Sequence, residues 1–246
     1  MLPDPKRVGP RVRLAFPRAR DRDEVLSLNR ASRALHRGWV APPTTTAQFA
    51  RFVARSRRPD FAGFLIRRLA DDAILGAVEV SQIVLGAFRS AYLGYQLGAP
   101  YVRQGYMSEA LRLVLAYGFG PLGLHRLEAN VRPENAASIA LVRRLGFTRE
   151  GYSRRYLKVG GRWRDHERWA ILAEDWRARS RRRTGGVLTV GLAILVATAG
   201  GRATRPRGPW TVAGVRATTV ECGGVRPQGF IVDRSGSRAT CRLPAR

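Results

Sequence analysis

Lysine is almost missing from this 246-residue chain: only Lys6 and Lys158 occur, so the 44 basic residues are nearly all arginine. Acidic residues are also few, 18 in all, which leaves a net charge of +26. A charge of that size draws a protein toward polyanions such as RNA, anionic membrane or phosphorylated cofactors, through an attraction that salt weakens. Scattered arginines are equally the mark of an ordinary solvated surface. Both cysteines, Cys222 and Cys241, stand near the C-terminus. Residues 1–221 therefore hold no disulfide, no thiolate metal ligand and no thiol nucleophile. The three histidines, His36, His125 and His166, are far apart and lack metal-ligand spacing. The opening MLPDPKRVGP has no apolar core of the kind a signal peptide needs, and cytoplasm is the default expectation. The apolar run VLTVGLAILVATA (187–199) would reach only roughly 20 Å as a helix, against a hydrocarbon core of about 30 Å. A membrane span is not expected.

What is present reads as globular: 45% hydrophobic residues and five tryptophans, in a length that suits one well-buried domain with an appendage. The character changes after Trp176. Residues 177–246 carry 14 arginines and only two acids, Glu221 and Asp233, for a net +12, while the rest of the chain is 30 basic and 16 acidic. This divides the chain into a lead at 1–10, a domain at 11–176, and an Arg-rich, partly apolar tail at 177–246. The tail is expected to be poorly ordered and without a catalytic role.

Periodicity fills in the domain. RVRLAF (11–16) reads as a strand and RDEVLSLNRASRALHR (22–37) as a helix, with Asp21 at its cap; TTTAQFARFVARS (44–56) is a second helix opened by threonine. FAGFLIRRL, ILGAVEVSQIV and AYLGYQL read as strands, the first two joined through Ala70, Asp71 and Asp72. Met107, Ala110, Leu111, Val114 and Leu115 share one face of a third helix. HRLEANV is a strand, NAASIALVRRLGF a helix stopped by Gly146, and YSRRYLKV with RWRDHERWAIL a hairpin about Gly160-Gly161. The order β α α β β β α β α β β predicts an α+β domain, one mixed, mostly antiparallel central sheet flanked by helices.

The junction YVRQGYMSEAL (101–111) brings a strand, through a turn at Gly105, into the third helix. The first turn of a helix leaves amide N–H groups unpaired, which with the peptide dipole suits phosphate oxygens, and glycine permits the close approach. The segments AYLGYQL, YVRQGYMSEAL, HRLEANVRPENAASIALVRRLGF and TREGYSRRYLKVGGRWRDHERW follow one another as they do in GNAT-superfamily N-acetyltransferases. Over about 11–176 the chain resembles the RimJ/RimL type, which acetylates N-termini of ribosomal proteins. The resemblance implies acetyl-CoA as co-substrate, with Val102, Arg103, Gln104, Gly105, Tyr106 and Met107 cradling its diphosphate. Arg103 stands where the family usually has the first glycine of Gly-x-Gly. Should that position require positive φ, arginine costs on the order of 1 kcal/mol there; its guanidinium can also meet a phosphate.

Further implications follow from the resemblance. The strand from Tyr95 to Leu97 opens to hold the pantetheine arm and thioester, an amide near Leu97 meeting the carbonyl oxygen. Asn135 faces the cofactor, or is simply a helix N-cap. Ser138 donates a hydrogen bond to the departing sulfur. Trp39 lines the acceptor cleft or serves packing. The acceptor implied is a protein N-terminal amine. Its pKa of about 7.7–8.0, against about 10.4 for lysine, makes it roughly 3.4 kcal/mol easier to deprotonate, so a modest base suffices. Glu79 and Glu128, on strands bordering the cleft, are the base candidates, and each reads equally as an ion-paired surface acid. Arg155 occupies the place before Tyr156-Leu157 where some relatives carry an acid. Arg162, Trp163, Arg164 and His166 are read as a basic hairpin edge, either touching ribosomal RNA or deterring sheet-to-sheet pairing. Two rival functions keep the same fold: acetylation of a small amine or antibiotic, and a non-catalytic RNA- or ribosome-binding module.

Overall fold

The computed structural model describes residues 2–5, 8–181, 217–221, 231–232 and 238–242. The chain divides into two compact units, 1–190 and 191–246. The apolar run 187–199 lies outside the described residues, as do the side chains of Cys222 and Cys241. In the second unit, three strands, β9 (Ala217–Glu221), β10 (Ile231–Val232) and β11 (Arg238–Arg242), form a small sheet with β11 central, parallel to β9 and antiparallel to β10.

The first unit is built on an eight-stranded sheet. Its strands are β1 (Val12–Ala15), β2 (Arg57–Arg58), β3 (Phe61–Arg68), β4 (Ile74–Val84), β5 (Ser90–Leu97), β6 (Arg126–Val131), β7 (Thr148–Val159) and β8 (Arg162–Leu172). They lie in the order β1-β3-β4-β5-β6-β8-β7, with β2 pairing β3. Every neighbouring pair is antiparallel except β5 and β6. Parallel neighbours need a crossover, and the helix α4 (Tyr106–Phe119) supplies it.

Alternation along each strand sorts the side chains to two faces. Val78 and Val80 of β4 and Leu127, Ala129 and Val131 of β6 join the main core with α4 and α5 (Ala136–Leu145). On the other face, Ile74 and Ala77 pack with Val25 and Leu26 of α1 (Arg22–Ala31) and with Phe49 and Phe52 of α3 (Thr46–Arg55). Ala110, Leu111, Val114 and Leu115, expected on one helix face, are fully buried there.

Three local features depart from the sequence reading. The first helix breaks at Ser32, whose backbone leaves helical geometry (φ −95°, ψ 9°), into α1 and the short α2 (Arg33–His36); the buried Ser32 Oγ accepts the amide of Ala99 at 2.8 Å. Asp21 makes no side-chain cap on α1; one carboxylate oxygen accepts the Arg18 amide at 2.8 Å and the other pairs with Arg67 at 2.7 Å, with both side chains under a tenth exposed. The second helix starts two residues later than the sequence reading, at Thr46, with Thr45 as its cap; Gln48 Oε1 accepts the Thr45 amide at 3.1 Å, closing a capping box. The Gly160-Gly161 turn has φ of +58° and +78°, the two-residue geometry that matches strand twist. A helix over 173–181 follows β8.

Candidate active site

β5 and β6 pair only across Ser90–Tyr92 and Arg126–Glu128. Beyond that, β5 continues to Leu97 beside β4 while β6 continues to Val131 beside β8. The Gly98 amide donates to the Leu75 carbonyl at 2.8 Å. Alternate residues in an antiparallel ladder turn their peptide groups to opposite sides, so Leu93, Tyr95 and Leu97 direct N–H and C=O into the gap between the diverging strands. The gap opens into a cleft of about 920 Å³ that runs from the α4 start, past α5, to the loop after α2. Its size suits a ligand with a long arm.

At one end lies the turn before α4. Arg103 has φ +61° and Gly105 +82°, so the first position of the turn does take the left-handed conformation that favours glycine. The first bond of helical type runs from the Glu109 amide to the Gly105 carbonyl at 3.2 Å. Among the described residues, the amides of Tyr106, Met107 and Ser108 meet no acceptor. Glu109, buried, holds the turn in place: it accepts the amides of Arg11 at 2.6 Å and Val12 at 3.0 Å and the Arg11 Nε at 3.1 Å. Arg11 Nη1 in turn donates to the Gln104 carbonyl at 3.1 Å. Val102, Arg103, Gly105 and Met107 line the cleft. Gln104 and Tyr106 do not: the Gln104 side chain folds back to the Pro100 carbonyl at 2.8 Å, and the Tyr106 ring is buried under the Arg11 guanidinium.

The middle of the cleft joins α5 to β5. Asn135 Oδ1 accepts the Ser138 amide at 3.0 Å, an N-cap, while the residue also lines the cleft. Ser138 Oγ lies 2.5 Å from the Tyr95 hydroxyl. Burial pushes the Tyr95 hydroxyl up to about 12, with the Ser138 bond opposing, so it keeps its proton at neutral pH. Leu97 lines the same stretch, its carbonyl receiving His36 Nε2 at 2.8 Å.

The far mouth is aromatic and polar. The Arg132 guanidinium lies over the Trp39 ring at 4.9 Å, donates to the Gly38 carbonyl at 2.6 Å and pairs with Glu134 at 3.1 Å. Asn130 Oδ1 is buried here and meets no donor among the described residues. His166, 3% exposed, completes the wall. The two carboxylates singled out from sequence lie off the cleft. Glu79 is on the α1/α3 side of the sheet, bonded to Arg55 at 3.0 Å; burial raises its pKa and Arg55 opposes that. Glu128 accepts from Arg126 Nε at 2.8 Å beside Tyr92. The Tyr92 hydroxyl is pushed up to about 12, mainly by its bond with Tyr156, then by burial and the Glu128 charge.

The hairpin reading of 162–166 needs correction. β8 lies between β6 and β7, so the edge strand is β7. Arg162 and Trp163 are exposed, but His166 is buried inside the cleft. Strand alternation in RWRDHERWAIL puts His166 opposite Trp169 and Ile171, a signal legible in sequence; that β8 would be flanked on both sides was not. Arg132 and Glu109 acquire their roles only through distant partners, Gly38 and Arg11, and Asn130 only through its place in the assembled cleft, so none has a local signal. Among the described residues, no helix is long and apolar enough to cross a membrane.

A sheet parted between its two parallel strands, with bare amides at the start of the crossover helix, can seat a long ligand that carries phosphate at one end. Residues 11–148 match the acetyltransferase (GNAT) domain family, and the chain belongs to it. Members of this family use acetyl-CoA. The chain is 42% identical over 112 residues to a Bacillus subtilis protein named "Probable N-acetyltransferase YjcK", covering 46% of this chain and 62% of that one. It is 41% identical over 103 residues to the Escherichia coli [ribosomal protein uS5]-alanine N-acetyltransferase, covering 42% of this chain and 53% of that one. The chain thus spans between half and two thirds of the lengths of these relatives. Mycobacterium smegmatis RimJ in complex with CoA-disulfide superposes with a TM-score of 0.62 at 31% identity, over 66% of this chain and 82% of that one.

Proposed function

We propose that this protein transfers the acetyl group of acetyl-CoA to the α-amine at a protein N-terminus, with a ribosomal protein as the substrate class, in the cytoplasm. The observation that carries the reading is the through-sheet gap. A phosphate-type cradle stands at one end, and at the other a mouth lined by Trp39, Asn130 and Arg132 is polar enough to take a chain end. The uS5-alanine enzyme and RimJ, similar to this chain across the same region, support the choice of acceptor.

In this reading the amides that follow Arg103 hold the diphosphate, and the Arg103 guanidinium, which meets no carboxylate among the described residues, adds a charge-assisted contact. The Leu97 amide, turned into the gap, meets the thioester carbonyl oxygen as it gains charge. Asn135 holds the start of α5 against the pantetheine arm. The hydroxyl pair of Tyr95 and Ser138 passes a proton to the departing sulfur. Glu79 and Glu128 lie off the cleft and each bonds an arginine, so neither is given a direct proton transfer. A neutral amine attacks without a covalent enzyme intermediate.

Calorimetric titration with acetyl-CoA, followed by mass spectrometry of peptides beginning with Ala or Ser, tests the reading. Saturable heat and a single added acetyl group at the peptide α-amine are expected. Acetylated polyamines or aminoglycosides with unmodified peptides would move the acceptor to small amines. No heat with acetyl-CoA, alongside salt-sensitive RNA binding, would leave a binding module instead.

A further inference from the structure

We propose that His166 is the base of the reaction: its Nε2 takes the proton from the attacking amine while Asn130 Oδ1 holds a second N–H of the same nitrogen. The inference rests on the N-acetyltransferase reading above.

The first argument is the tautomer. His166 Nδ1 lies 3.0 Å from the Arg164 carbonyl. A carbonyl can only accept, so Nδ1 carries the hydrogen and Nε2 presents a lone pair. The second argument is position. β6 and β8 pair as far as Val131 and Glu167, and Asn130 stands opposite Arg168. Alternation therefore puts His166 on the same face as Asn130, one residue beyond the last pair, where the strands open into the cleft. Asn130 Oδ1 is buried there without a donor, and an unpaired buried acceptor is costly unless a ligand N–H meets it. The third argument concerns the carboxylates, which are engaged: Glu79, Glu128 and Glu134 each bond an arginine.

The groups facing the ring are Arg132 and Glu134 at the end of β6, Arg164 and Asp165 on its own strand, and Tyr156 of β7, whose ring packs edge-on at 6.1 Å. His36 and Tyr95 line the same cleft. Burial and the Arg132 charge lower the His166 pKa, while the bond to Arg164 and the charges of Glu134 and Asp165 oppose them. The ring is thus neutral at physiological pH. Such a weak base is adequate because the amine nitrogen becomes far more acidic once its bond to carbon forms. The amine lone pair makes the C–N bond, and one N–H proton passes to Nε2. The C–S bond breaks with its electron pair on sulfur, which takes a proton from the Tyr95–Ser138 pair. Solvent then restores both.

The test uses the full chain. His166→Ala should lose on the order of 10²–10⁴-fold in kcat, keep its acetyl-CoA affinity by calorimetry, and recover activity when imidazole is added, in proportion to the neutral imidazole present. His166→Gln should be equally slow, deaf to imidazole, and without the acidic limb of the wild-type pH profile. A wild-type-like rate in either variant overturns the proposal, as does an imidazole-insensitive His166→Ala that still binds acetyl-CoA. Should the alanine variant fail to fold, the pH profile of His166→Gln decides alone. A wild-type protein that binds no acetyl-CoA or modifies no peptide sinks the N-acetyltransferase reading itself, a separate result.

Discussion

Glu109 is one turn into α4, yet its carboxylate reaches back to the first strand, and removing it should loosen the phosphate cradle. It accepts two backbone amides and one guanidinium N–H, at 2.6, 3.0 and 3.1 Å. In Glu109→Ala the amides of Arg11 and Val12 lose their acceptor in a largely buried place, at about 1–3 kcal/mol each. A total near 3–4 kcal/mol is expected, and at about 2–4 °C per kcal/mol for a domain of this size the melting temperature should fall by roughly 10 °C. Arg11 also loses the partner that aims it at the Gln104 carbonyl. Acetyl-CoA affinity should drop about tenfold, equivalent to ~1.4 kcal/mol. Differential scanning calorimetry and isothermal titration read the two effects separately. Arg11→Met keeps both amides bonded and should spare stability more than affinity. A Glu109→Ala protein that melts within about 2 °C of wild type and binds acetyl-CoA equally well would refute the reasoning.

Arg103→Gly should stabilise the free protein by up to about 1 kcal/mol, because φ of +61° strains an L-residue by ~1–2 kcal/mol while glycine gains part of that back as unfolded-state entropy; acetyl-CoA affinity should fall at the same time, and a variant that melts lower contradicts the strain argument. Arg67→Met leaves Asp21 charged and buried without its partner at 2.7 Å, and urea titration should show a loss of about 3–5 kcal/mol. The pH dependence of stability has a defined sign. The folded protein holds His166 below its ordinary value, so the unfolded chain binds more protons and stability rises with pH. That contribution is complete above the unfolded value of about 6.5 and is lost as pH falls from there through the lowered folded value. Thermal melts between these limits should fall more steeply for wild type than for His166→Gln.

Periodicity and punctuation determined most of the fold. The alternation in HRLEANV, the helical spacing from Met107 to Leu115, the threonines that open the second helix and the glycine pair at 160–161 are local signals, and local signals fix elements and their buried faces. The turn before α4 was legible for the same reason, since a turn into a helix start is a matter of consecutive residues, whereas the positive φ at Arg103, raised from sequence only as a condition, is supplied by the structure. Asn135 as a cap and Ser138 one turn later belong to the same class. What the tertiary structure decided was every pairing across the chain. Glu109 with Arg11, 98 residues apart, Tyr95 with Ser138, 43 apart, and Arg67 with Asp21, 46 apart, have no local signature. The sheet order likewise moved β8 from an expected edge to the interior and turned a surface histidine into a buried one. Proton affinity depends on burial and on neighbouring charge, and both are properties of the assembled sheet. Which acid or base faces the gap was therefore settled only when β5 and β6 parted.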